Sequence, residues 1–221
     1  MQSATRPKKS EISAAEFDYN NFMSPGEEKA WEALRTIDPD DVCARTGAIY
    51  DSILGLYRFT SFGKDFSLSP RDRKIYSDAP ESDTLLQKLG FFFNFSIVCS
   101  FYNAKDVPLA GKLINPVNMK SGQLFFRGSH VLPLDKVSER YGGNRDGFLQ
   151  RGRALGGVGL EYGDAAGKLF PLPRVPVVLI LWLADEEFPA RADILFDSSA
   201  EIQLPIDVIW SISMLSLLVM L

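Results

Sequence analysis

The run Val175 to Ala184, VPVVLILWLA, contains no charged or hydrogen-bonding side chain other than the Trp182 indole, and it constrains the fold more than any other segment. Successive strand residues point to opposite faces, so a strand with one solvated face alternates apolar and polar residues. This run does not alternate, and it reads as a strand covered on both faces. Pro173-Arg174-Val175-Pro176 stiffens the approach to it, and Asp185-Glu186-Glu187 ends it in a polar turn. Ala192 to Phe196, ADILF, is the expected neighbouring strand.

The remaining segments supply the cover. Ser24-Pro25-Gly26-Glu27 offers a cap, a first-turn proline and acids, and Ala30, Trp31, Leu34 and Ile37 follow on one helical stripe. From Ala48 to Tyr76 short alternating runs are broken at Gly55, Ser61-Phe62-Gly63 and Ser69-Pro70-Arg71, which argues an antiparallel meander. Leu85 to Tyr102 is long and apolar nearly all round, a helix packed on more than one side. Further helices are expected from the Leu132-Pro133-Leu134-Asp135 opening through Tyr141 and from about Asp146 to Ala154, after a loop-rich stretch from Leu109 to Ser129. The fold class that follows is α+β: an antiparallel meander and buried C-terminal strands packed against several helices around a single core. Residues 23–221 form that one domain, and residues 1–22, polar and without apolar period, form a flexible N-terminal arm.

Composition excludes several function classes. A net charge of −4 with scattered Lys and Arg gives no nucleic-acid footprint. Two cysteines, Cys43 and Cys99, with no CxxC pair, build neither a zinc nor an iron-sulfur site, so no metal centre is expected. MQSATRPKKSE is followed by no apolar h-region, which points to the cytoplasm. Ile206 to Leu221 is apolar apart from Asp207 and three serines but is shorter than the ~20 residues a membrane span needs, so a buried helix is expected.

The stretch FPLPRVPVVLILWLADEEFPARADILFDSSAEIQLP, Phe170 to Pro205, resembles the family catalogued as domain of unknown function 3786, as do GSHVLPLD and LGGVGLEYGD more loosely. The resemblance covers most of the chain from Met23 onward. That family occurs mostly in anaerobic bacteria and archaea and brings no assigned activity. Some of its members adjoin a four-iron, four-sulfur module, which implies redox or cofactor-handling protein partners; this chain has no cysteine cluster of its own.

Candidate site residues are few. Asp185, Glu186 and Glu187 follow the buried strand and, with Asp197, offer oxygens to a hard cation, although an acidic turn that solvates a strand end is the simpler reading. Arg174, held between prolines, is suited to clamping a carboxylate or phosphate, or to pairing with those acids. His130 is the only histidine, a candidate acid or base or a hydrogen-bonded turn residue. Gly156 to Gly163 lacks the strand-loop-helix context of a dinucleotide loop and reads as a helix-to-strand connector, with Tyr162 and Asp164 as possible contact residues. Three functions remain open: a small-molecule or cofactor binding or accessory protein with a pocket between His130, Arg174 and the acidic turn; an enzyme using His130 with Asp185 or Asp197; and a structural interaction subunit. No pattern specifies a cofactor or an oligomeric state.

Overall fold

The computed structural model describes residues 23–221, so the expected N-terminal arm lies outside the described residues. Two antiparallel sheets wrap a central helical pair. The first sheet is the expected meander, β1 (Ile49–Asp51), β2 (Leu56–Ser61), β3 (Lys64–Ser69) and β4 (Lys74–Tyr76), hydrogen-bonded in that order. The second has five strands in the order β5-β9-β8-β7-β6: β5 (Leu113–Ile114), β6 (Val158–Leu160), β7 (Ala165–Leu172), β8 (Val175–Trp182) and β9 (Arg191–Asp197).

Among the described residues the α-helical segments are α1 (Pro25–Leu34), α2 (Pro39–Thr46), α3 (Gly90–Asn103), α4 (Gly122–Phe125), α5 (Leu134–Tyr141), α6 (Arg145–Ala154), α7 (Ala200–Gln203) and α8 (Ile206–Leu218), besides short 3-10 and π turns. Helix α1 starts where its signals place it: the Ser24 side chain accepts from Glu27 N at 3.1 Å with Pro25 in the first turn. Asp38 and Pro39 start α2 in the same way, and those two signals were legible but unread. The first α3 residues follow a π turn at Thr84–Lys88, so the expected continuous helix from Leu85 is broken near Gly90.

Helices α3 and α8 pack against each other through the centre, where Ser96 donates to Ser211 at 2.9 Å and Ser211 donates to the Phe92 carbonyl at 3.2 Å. These hydroxyls satisfy each other in an otherwise apolar seam, where an unpaired one would carry a desolvation cost. The meander turns Tyr57, Phe59, Phe66 and Leu68 inward onto α3, with Phe66 and Phe93 at 4.8 Å and Phe59 and Phe101 at 5.2 Å between ring centroids. Each such side chain contributes roughly 1.5–3 kcal/mol on burial.

Strand β8 is buried over Val175–Leu181, as its continuous apolar pattern requires. Val177, Leu179 and Leu181 join the main core, whereas Val178 and Ile180 join a smaller cluster with Ala166 on the other face, edged by Leu113, Leu160, Leu195 and Trp182. The stretch expected as a helix-to-strand connector, Gly156 to Gly163, is instead the first half of a hairpin, because β6 pairs with β7 from Val158↔Lys168 to Leu160↔Ala166. Among the described residues no helix is long and apolar enough to cross a membrane, and α8 is the buried helix expected.

Candidate functional site

Alternation along the meander strands leaves one face to solvent, and antiparallel register aligns that face into a row: Ile49 opposite Arg58, Arg58 opposite Ser67, and Ser67 opposite Tyr76, with Thr60 opposite Asp65 beside them. The β2–β3 hairpin then anchors this sheet to the larger one. Phe62 N donates to the Phe170 carbonyl at 2.9 Å, and the Ser61 hydroxyl donates to the Pro171 carbonyl at 2.7 Å. Gly63 at the hairpin tip lies directly on Gly156, both with left-handed φ, near +70°. The two sheets meet at an angle here, and the angle is an open cleft of about 850 Å³.

The cleft is walled on the meander side by Arg58, Thr60, Ser67 and Tyr76, and on the other by Gly156, Phe170 and Pro173. Its charged groups are mostly occupied: Arg58 pairs with Asp51 at 2.9 Å, and Asp65 accepts from Thr60 at 2.9 Å. Aromatic and hydroxyl groups side by side suit an uncharged or weakly charged ligand of moderate size.

Behind edge strand β4 lies a second recess of about 360 Å³, which shares Tyr76 and Ser77 with the cleft. Glu27, Trp31, Leu86 and Asn94 line it, with Arg73 and Lys74 from the β3–β4 side. Glu27 is only 5% exposed. Burial pushes its carboxyl up to about 7, against the smaller opposing effect of a hydrogen bond with Trp31. Sequence reading placed Glu27 only as a first-turn acid. Its distance of four residues from Trp31, which puts both on one helical face, was the available signal.

The anticipated site residues do not gather into one pocket. Arg174 follows β7 at the hairpin into β8, whereas Asp185 lies beyond the far end of β8. Eight residues of strand, about 26 Å, separate them. The Arg174 guanidinium donates to the carbonyls of Ala44 and Val107 and to Asp106 at 2.7 Å, so neither Asp197 nor the acidic turn is its partner. Antiparallel pairing also divides the acids: Trp182 pairs with Arg191 and Val177 with Phe196, which puts Asp185 and Asp197 at opposite ends of the sheet. The rule that ligands gather at strand ends belongs to parallel sheets and has no force here.

Each acid has a local task. Asp185 accepts from Glu187 N and Phe188 N at 2.8 and 2.7 Å, donors that hold its carboxyl below the usual range and close the turn that also carries Glu186. Asp164 accepts from Leu183 N at 2.8 Å, which brings the β6–β7 turn, with exposed Tyr162, to the same sheet end as that turn. Asp197 is buried, which alone would raise its carboxyl, but donors from Ser199, Ala110 and Gly111 outweigh burial and hold it low. His130 packs against Phe125 with the rings tilted and their centroids 4.4 Å apart, it meets Trp210 edge-on at 5.0 Å, and its carbonyl accepts from the Trp210 indole at 3.0 Å. It forms no hydrogen bond with Asp185 or Asp197 among the described residues, and no group of three or more His, Cys, Asp or Glu among them is placed to hold a metal ion.

A family model described as domain of unknown function (DUF3786) matches residues 38–217. No curated protein and no solved structure matches the chain.

Proposed function

The chain belongs to the DUF3786 family, whose function is unknown, and from that premise we propose that it is a binding or accessory protein that holds a small molecule or cofactor in the cleft between its two sheets. The observation that carries this reading is the cleft itself: about 850 Å³, walled by Tyr76 and Phe170 and by the Thr60 and Ser67 hydroxyls. Its size and its mixture of apolar wall and few polar groups are those of a small-molecule site. His130 does not line the cleft, and the Asp65 carboxylate there is engaged by the Thr60 hydroxyl, which favours binding over catalysis. The resemblance to proteins of anaerobes makes oxygen-free handling the appropriate condition and a redox or cofactor-handling protein the appropriate class of partner.

The test is native mass spectrometry of protein purified without oxygen, compared with its denatured mass, for the wild type and for Ser67→Trp, which fills the cleft from the solvent face of β3. The reading expects an added mass in the wild type that the variant loses. The same adduct in both, or a bare mass in both, overturns it, and a bare mass turns attention to the interaction-subunit reading.

A further inference from the structure

We propose that the recess behind β4 is a separate binding site for a small primary ammonium compound, held by the Glu27 carboxylate with its carbon chain against Trp31 and Leu86. The inference does not depend on the cleft, and it stands whether or not the cleft holds a ligand.

Burying a carboxyl without a cationic partner is unfavourable, and Glu27 has no ion pair among the described residues. Arg73, the guanidinium at the recess, is committed elsewhere: it bridges Glu28 at 3.7 Å and Glu32 on α1. Lys74 lines the mouth and is exposed. The two acids neutralise Arg73, so the balance around the recess, counting Glu27, Glu28 and Glu32 against Arg73 and Lys74, is negative. Burial also pushes up the Cys99 thiol on α3, with Glu27 the next contributor, so that neighbour is neutral. Lys29, the cation in the same helical turn, points away, with its ammonium 5.7 Å over the Tyr102 ring.

The recess therefore holds a buried carboxyl with no cation paired to it among the described residues, beside apolar surface. The Asn94 amide, which makes no hydrogen bond among the described residues, adds a second acceptor on the α3 side. An ammonium carries three donors and no acceptor, which matches this set, and the indole of Trp31 accommodates both a cation and an alkyl chain. A neutral alcohol of the same length would leave the carboxylate uncompensated.

The probe is butylammonium chloride, titrated at about pH 8, where the carboxyl is mostly ionised, and followed by the Trp31 indole N–H resonance, with 1-butanol as the uncharged comparison. The proposal expects a saturable shift with butylammonium, none with 1-butanol, and about tenfold or greater weakening in Glu27→Gln. Asn94→Leu, which removes the second acceptor and leaves the Glu27 side chain unaltered, serves if Glu27→Gln does not fold, and it is expected to weaken the shift severalfold. No saturable shift in the wild type, equal response to 1-butanol, or unchanged affinity in the folded variants overturns the proposal.

Discussion

Gly63 and Gly156 sit backbone against backbone: a Cβ built on Gly63 would lie 2.9 Å from the Gly156 Cα, and one built on Gly156 would lie 2.6 Å from the Gly63 Cα. This contact sets the angle at which the meander meets the larger sheet, and hence the cleft. Gly63→Ala adds a steric clash to the strain of a left-handed φ, together about 2–5 kcal/mol. Gly111 has the same φ, +70°, but open space at its Cβ position, so Gly111→Ala isolates the strain, about 1–2 kcal/mol. Urea unfolding of both variants checks this. Equal losses would mean that the hairpin shifts freely and that the glycine pair does not set the cleft.

Arg174 and Arg45 together tie the segment after α3 to helix α2: Arg45 donates to the Ala104 carbonyl at 2.6 Å, and Arg174 reaches Asp106 and the carbonyls of Ala44 and Val107. Arg174→Ala is expected to cost about 2–3 kcal/mol, chiefly through charge-assisted bonds to carbonyls that lose their donor. Asp106 is 66% exposed at its side chain, and exposed pairs contribute little, so Asp106→Ala should cost less than about 1 kcal/mol. A ligand clamp would behave differently, with binding lost and the unfolding midpoint unchanged in Arg174→Ala.

The elements with a single strong period were legible. The unbroken apolar run of β8, the ADILF strand and the C-terminal helix all stand where their patterns place them, because burial on two faces leaves a sequence little freedom. Strand β7 was not legible. Gly167 and Pro171 interrupt AAGKLFPL, and the strand tolerates Pro171 only because its register with β8 shifts between Leu169 and Leu172. Site residues were less legible than elements. Arg174 was expected to clamp a ligand or to pair with the acids near it in sequence, because its actual partners Ala44, Asp106 and Val107 lie 67–130 residues away. Glu27 looked like a surface acid, because the closing of α3 and β4 over it is a tertiary event.

That closure has a pH signature. The Glu27 carboxyl is raised by burial from its ordinary 4.5 to about 7, so between these values the native state retains a proton that the unfolded chain has released. Stability from this group is therefore fully present below about 4.5 and is lost as pH rises through about 7. The rise from 4.5 to about 7 amounts to on the order of 3 kcal/mol above pH 7. Asp51, Asp185 and Asp197, held low, act in the opposite sense, so the wild-type profile alone does not isolate Glu27. The difference between wild type and Glu27→Gln does, since the three aspartates are common to both. We expect the variant to match the wild type near pH 4, below the unfolded value of 4.5, and to exceed it in urea unfolding free energy by a few kcal/mol near pH 8. Profiles that remain parallel across that window would place the carboxyl in water and remove the basis for the recess as a site of charge recognition.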